Sequence, residues 1–424
     1  MHDVAVIGGG PAGSTAAYVL AREGVRTVLL ERERFPRHHI GESLLPRAGG
    51  LYRRLGLLPV LEREGFTPKY GAFVVSNDGG VELEINFFNN AQRNPDLVAW
   101  EVERERFDHL LLDHARRAGA EVREGVAVLD ADAREDAPCR LRLRDDAGRE
   151  SSLEARWIVD AGGQSSLLAK LHDLRVRHPS HRKIAVYARY KGMPRREGFR
   201  AGNVDLVLGP GGWFWLIPLR DDLTSVGFVS DVARWKATGL SPEALLEDAI
   251  RRSPFVFGRL RHAPRVTPVW TASNYSYSSR RLAGPGFVLV GDAAEFLDPI
   301  WSTGVMLAMR SGERAALDLA AALRSGRPLR ADVFDDYERT FRRWTKHHFA
   351  MIEAFYSPGF AEVFLNRRET LGMAEAVTAL LAGQSEQGWL DRLRVRLFLL
   401  LIRLNRRFKF LKDPRSPEAA IPHA

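Results

Sequence analysis

Four groups of residues in this chain have the types and spacing that chemistry requires. Gly8, Gly10 and Gly13 stand in a G-x-G-x-x-G pattern within VAVIGGGPAGSTAA, an apolar run leading into a helical one. In such a pattern the first glycine makes a tight turn, the second lets backbone approach a pyrophosphate, and the third lets helix pack on strand. The phosphates then meet a helix N-terminus, whose unpaired amides favour an anion. A second apolar run, Thr27 to Leu30, ends in Glu31, about twenty residues on, where an acid can hold a ribose hydroxyl.

The second group centres on Lys69, placed among apolar and aromatic residues in FTPKYGAFVV. A lysine beside an apolar site loses basicity and can act as nucleophile or acid. Taken alone, it reads first as a surface lysine with its stem laid along a sheet. The third group is Trp213 to Pro218, WFWLIP. A period of two puts Trp213, Trp215 and Ile217 on one strand face and Phe214 and Leu216 on the other. That pattern suits either a rigid indole wall or an ordinary core strand. The fourth, GFVLVGDAA from Gly286 to Ala294, repeats the logic of a buried strand followed by Gly291 and Asp292, the acid placed to accept from a sugar hydroxyl.

Positioning these groups calls for an α/β chain. After Glu31, RERFPRHHIGESLLP is too rich in proline, glycine and charge for a regular element. Glu42 and Ser43 within it can cap a helix from Leu44 to Leu55. Trp100 to Leu112 passes from a strand end into an amphipathic helix led by Asp108, and Gly119 to Leu129 with Cys139 to Ala155 reads as a strand and hairpin. Trp157 to Gly163 is a buried strand ending in small residues around Asp160. From Lys183 to Val232, strand-like runs alternate with glycine and charged turns, which suggests an antiparallel sheet walling a substrate chamber. Ser302 to Val305 opens a helix running to Leu323, with Ser302 as a candidate N-cap. Helical patterns follow over 332–349, 361–365, 371–381 and 390–411, and the tail after Asp413 is expected to be loose.

Composition narrows the class. The 424 residues carry a formal net charge of +9 and one cysteine, Cys139, which excludes an internal disulfide and a four-cysteine metal site. No metal site is expected. The arginine-rich surface admits an acidic partner, but zinc-finger spacing, RNP-type aromatics and basic heptads are missing, so nucleic acid is not expected. No secretory leader is apparent before Val4, and a soluble, cytoplasmic protein is expected. The last helical run, Leu390 to Leu411, is basic and too short in its apolar core to span a bilayer. Covering the core is its first expected role, docking an acidic carrier its second, and lying on a membrane its third.

Several of these stretches resemble flavin-dependent halogenases. FPRHHIGESLLP is similar to their loop beside the flavin ring, and Lys69, Gly71 and, at a shorter spacing, Phe73 match a K-x-G-x-x-F context in which a lysine carries active halogen. Val102, Arg104, Phe107 and Asp108 resemble V-x-R-x-x-F-D. Trp213, Trp215, Ile217 and Pro218 match W-x-W-x-I-P, the family's most diagnostic motif, and Asp298 to Val305 resembles D-P-x-x-S-x-G-V, with Trp301 departing from the phenylalanine expected there.

The resemblance implies a Rossmann-like FAD-binding fold of the aromatic-hydroxylase type, with an antiparallel substrate-side sheet and a helical C-terminal region. The FAD module would span 1–330, with cofactor segments near 1–65, 100–170 and 280–330, sheet segments near 66–99 and 180–279, and helices over 331–424. FAD neighbours would be Gly8, Gly10, Ala12, Gly13, Glu31, Arg37, Gly41, Glu42, Ser43, Arg104, Asp160, Gly291, Asp292, Pro299, Gly304 and Val305. Thr303 and Gly304 would bind chloride or bromide. FADH2 from a separate flavin reductase, with O2 and halide, would yield hypohalous acid that reaches Lys69. The tryptophans would keep substrate from the flavin. A phenol or pyrrole, free or tethered to an acidic carrier protein, is the implied substrate. The alternatives are a flavin hydroxylase, a lipid-type ene reductase and a non-catalytic FAD-binding protein.

Overall fold

The computed structural model describes residues 1–87, 97–365, 373–384 and 388–411. The tail after Asp413 and the first residues of the run expected from Leu371 lie outside them. The chain forms two compact units, each assembled from three stretches: Met1–Gly41, Glu103–Pro179 and Tyr275–Trp344 in the first, and Glu42–Val102, Ser180–Asn274 and Thr345–Ala424 in the second.

The first unit is built on the strand His2–Ile7. Its apolar run lies between two parallel neighbours, Thr27–Glu31 on one side and the end of Glu150–Asp160 on the other, with Val4 opposite both Thr27 and Trp157. A strand covered on both faces favours such continuous apolar sequence over alternation. Phe287–Leu289 continues the parallel order beyond Glu150–Asp160, and Glu121–Glu124 continues it beyond Thr27–Glu31. Val126–Asp132, Cys139–Asp145 and the start of Glu150–Asp160 form the expected antiparallel extension. The helices Pro11–Arg22 and Gly304–Arg324 pack so closely that a Cβ on Gly312 would lie 2.3 Å from the Ala12 carbonyl oxygen.

The second unit carries a sheet in the order Arg175–Lys191, Leu223–Asp231, Gly212–Pro218, Val204–Gly209, Gly71–Ser76 and Glu82–Asn86. Its first three strands pair antiparallel, while Val204–Gly209 runs parallel to Gly71–Ser76. Phe214 and Leu216 pack with Phe73, Val226 and Phe228 in a core closed by Leu245 and Leu246 of the helix Pro242–Arg251. Trp213 and Trp215 therefore occupy the other face, as the period of two requires. The C-terminal part adds the helices Phe360–Leu365, Met373–Leu381 and Trp389–Phe408. The α/β class, the antiparallel sheet and the helical C-terminal region are as expected. Among the described residues, no helix is long and apolar enough to cross a membrane.

Three local expectations change. The helix containing Asp108 begins at Arg104, so Asp108 stands one turn inside it and pairs with Arg104 rather than leading it. Leu44 to Leu55 is not one helix but the 3-10 turn Pro46–Ala48 followed by Gly49–Arg54, and neither Glu42 nor Ser43 caps it. Ser302 is not the N-cap of the Gly304–Arg324 helix. Its backbone is left-handed, with φ of +56°, and Thr303 takes the cap position without a side-chain bond.

Candidate functional site

In the first unit, the glycine turn is shaped by lack of room. Gly8 has φ of +97°, and a Cβ there would come 2.6 Å from the Ala161 carbonyl oxygen. On Gly13 it would come 1.9 Å from the Gly8 carbonyl oxygen. Gly10 precedes the Pro11–Arg22 helix, whose first turn has proline and no side-chain cap. Proline loses nothing at that position, and the uncapped amides are open to an anion. The Gly9 N–H donates to Glu31 at 2.6 Å, and the Glu33 N–H donates at 2.9 Å to its other oxygen. A turn without room for Cβ atoms, an uncapped helix start and a buried acid closing the second strand together fit the pyrophosphate and ribose of FAD.

Arg104 is buried beside this turn's helix layer. Its guanidinium donates to both Asp108 oxygens at 2.7 and 2.8 Å and to the Ile40 carbonyl at 2.6 Å. Gly41 has φ of +102°, and a Cβ there would lie 2.7 Å from Arg104 Nη1, so only glycine lets the arginine lie against the loop. Arg37 stacks over Phe35 and pairs with Glu33 and Asp108 at 3.3 and 3.4 Å. Asp160 accepts from the Gly162 and Leu168 N–H groups and the Ser166 hydroxyl. Burial raises its pKa and these bonds oppose the rise. Gly291 packs against Ala12, and burial pushes the Asp292 carboxyl up to about 6 against the pull of Arg104. Pro299 opens a 3-10 turn ending at Trp301, and Thr303, Gly304 and Val305 begin the uncapped helix.

The second unit holds the lysine and the tryptophans. Lys69 is 3% exposed, which overturns the reading of a surface lysine. It follows the two-residue strand Thr67–Pro68, which pairs with Trp100–Glu101 and so brings Glu101 to the lysine. The ammonium donates to Ser43 Oγ at 2.7 Å and the Leu44 carbonyl at 3.0 Å, and lies 4.0 Å from Glu101 Oε1. Burial lowers the Lys69 pKa and Glu101 opposes this. Burial likewise pushes Glu101 up to about 7, opposed by Lys69 and by the neighbouring Ser43 hydroxyl. Glu42 accepts from Arg189 at 2.9 Å. Trp213 and Trp215 lie with ring centroids 6.0 Å apart and inclined at 54°. Trp213 Nε1 donates to Tyr356 Oη at 3.0 Å, and Trp215 Nε1 donates to Ser225 Oγ at 3.2 Å. Ile217 and Pro218 complete the strand.

Sequence reasoning missed Glu101, Arg189 and Tyr356. Glu101, the first of three acids at alternate positions with Glu103 and Glu105, carried no distinguishing signal. Arg189 and Tyr356 had none, since their partners are far away in the chain.

A family model for the FAD binding domain matches residues 1–347. A 1H-pyrrole-2-carbonyl-(peptidyl-carrier protein) chlorinase of Pseudomonas fluorescens is 31% identical over 377 residues, covering 84% of this chain and 83% of that protein. The structure is similar to that of the myxobacterial chondrochloren halogenase CndH, with a TM-score of 0.79 and 33% identity over 94% of this chain and 97% of that one. It is also similar to the flavin-dependent brominase Bmp2, with a TM-score of 0.85 and 28% identity over 96% and 99% of the two chains. The chain belongs to the flavin-dependent halogenases, oxidoreductases that use FAD to halogenate their substrates.

Proposed function

We propose that this halogenase acts on an electron-rich aromatic, a phenol or a pyrrole, and that Lys69 delivers the halogen. FAD, brought as FADH2 by a separate flavin reductase and used with O2 and chloride or bromide, supplies hypohalous acid. Gly8, Gly10, Ala12 and Gly13 hold its pyrophosphate, Glu31 its ribose, and Arg37, Gly41, Arg104, Gly291, Asp292, Pro299, Gly304 and Val305 the remainder. Asp160 acts on the cofactor by holding its own loop in shape. Thr303 and Gly304 offer helix N-terminal amides to the halide.

Burial of Lys69 beside Glu101 is the observation that carries the lysine's role. In one form of the step, the neutral amine takes halogen from hypohalous acid, an N–H becoming N–X as water leaves. The aromatic carbon then takes X, gives up its proton, and the amine is restored. In the other form the ammonium holds hypohalous acid by a hydrogen bond while the ring attacks it. Desolvation favours the first and Glu101 the second. Ser43 keeps the nitrogen in place in either, and Trp213 and Trp215 bar the substrate from the cofactor.

The chlorinase relative is named for a substrate carried on a peptidyl-carrier protein. That supports a tethered substrate here as well, and equal turnover of a free acid and its carrier thioester would remove the idea.

Mass spectrometry tests the whole reading. Purified protein with FAD, a generic flavin reductase and NADH is given a panel of phenols and pyrroles in chloride or bromide. A halogen isotope doublet that disappears in Lys69→Ala is the expected result. Full halogenation by Lys69→Ala with normal FAD binding would sink the relay, and products gaining oxygen would replace it with hydroxylation.

A further inference from the structure

Eight of the fourteen exposed large apolar side chains among the described residues lie between Trp389 and Phe410. The helix Trp389–Phe408 explains why they are grouped. Val395, Phe398 and Ile402 are buried on one side, and Phe398 meets Phe364 edge-on at 6.2 Å. At about 100° per residue, Trp389, Leu393, Leu397, Leu400, Leu404 and Phe408 fall on a different arc. They form one stripe whose members are between 37% and 72% exposed. Arg392, Arg396, Arg403 and Arg407 are exposed along one edge of it. Twenty residues at about 1.5 Å each make the stripe about 30 Å long.

We propose that this helix docks the protein on an anionic lipid surface. Core packing accounts for Val395, Phe398 and Ile402 and leaves the stripe unexplained. The chain's undescribed residues include only Phe88, Leu371 and Ile421 as large apolar side chains, too few to cover it. A second copy stacked antiparallel, stripe to stripe, would bring two arginine edges together. An apolar ridge with cations along its edge needs no matched shape from its partner. It needs an apolar interior beside fixed negative charge, which is the section of an anionic leaflet. The arginine stems lie along the apolar boundary while their guanidinium groups reach phosphates, and Trp389 and Phe408 anchor the two ends at headgroup depth. Since no described helix can cross a bilayer, the attachment is peripheral.

Flotation of the FAD-loaded full chain with vesicles tests this. Vesicles of phosphatidylcholine alone are compared with vesicles containing phosphatidylglycerol, at low and high salt. The protein is expected to float with the anionic vesicles, at least tenfold less with neutral ones, and to be released by salt. Leu397→Gln/Leu400→Gln/Leu404→Gln, all at exposed sites, is expected to lose flotation while keeping its melting temperature and its halogenation of a free substrate. Arg396→Glu/Arg403→Glu is expected to lose the preference for anionic lipid. Flotation unchanged by the triple substitution overturns the proposal, as does failure of the parent chain to float. A dimer that the triple variant dissociates, or selective loss of turnover on a carrier thioester, assigns the stripe to another partner and overturns it too.

Discussion

Lys69 Nζ lies 4.0 Å from a carboxylate oxygen of Glu101, with both side chains removed from solvent. Burial disfavours charge on each and the partner restores it. Glu101, raised from 4.5 to about 7, binds its proton in the folded protein where the unfolded chain has lost it. Its contribution to stability therefore falls as pH rises from about 4.5 to 7. The lowered lysine has the opposite sign, adding stability as pH rises toward 10.5. In Glu101→Gln the lysine keeps its desolvation and loses its counter-charge. The limb of the pH–rate profile that the proposed role assigns to Lys69 is expected to move to lower pH. A profile of kcat with saturating FADH2 checks this, and a limb that stays put removes Glu101 as the lysine's partner.

Two glycines of the same turn should fail differently. Gly13→Ala sets a methyl 1.9 Å from the Gly8 carbonyl oxygen, so backbone must move. Overpacking of this kind costs about 1–3 kcal/mol or more, and a lower melting temperature is expected even without FAD. In Gly10→Ala the nearest atom to the methyl is Arg37 Nη2 at 3.7 Å. That variant is expected to melt like the parent and, on the proposed placement of the phosphates, to bind FAD more weakly, because the methyl would stand where a phosphate approaches. Calorimetry of the apoprotein with an FAD titration separates the two effects. Parent-like FAD affinity in Gly10→Ala would place the phosphates elsewhere.

Gly227 faces Trp215 across the sheet, and a Cβ on it would lie 2.1 Å from the indole ring. Gly227→Ala is expected to displace Trp215 and lower halogenation about tenfold or more, in line with the sensitivity of catalysis to misplacement, while FAD affinity stays as in the parent. Tyr356→Phe is the control. It removes the acceptor of Trp213 Nε1 and costs about 1–3 kcal/mol as an unsatisfied buried donor, but leaves the Trp215 ring in place. If Gly227→Ala keeps full turnover and product distribution, the indole wall has no part in the reaction.

Local pattern reached as far as local physics does. The glycine turn was legible because Gly8 and Gly13 answer steric demands from the adjoining strand and from within the turn, as Gly13 does against Gly8. The faces of WFWLIP were legible because alternation decides them, and Phe214 and Leu216 duly enter the core. Ser43, which the sequence offers as a cofactor neighbour or a cap, caps no helix, and its hydroxyl accepts from Lys69. Glu101 reaches Lys69 only because Trp100–Glu101 pairs with Thr67–Pro68, two residues against two, across a long intervening stretch. Pairings that short carry no periodicity. The long helix was mistimed at Asp108 because an arginine at its first position, Arg104, looks like a solvent residue until the acid one turn later pairs with it.

Glu42 shows how such a buried contact can be separated from a cofactor role. Its carboxylate accepts from Arg189 Nη2 at 2.9 Å, and both residues are at least nine-tenths buried. Arg189→Met keeps the apolar stem and removes the cation from which the buried Glu42 carboxylate accepts. Breaking such a pair costs about 3–5 kcal/mol, so a melting temperature several degrees lower is expected at pH 8. Glu42→Leu/Arg189→Met is expected to recover most of the loss, since neither group is then left uncompensated. Thermal melts of the apoprotein test this, with FAD titrations beside them. A parent-like melt with weakened FAD binding in Arg189→Met would mean that Glu42 serves the flavin, as the loop's likeness to other halogenases implies, and that the pair does little for the fold.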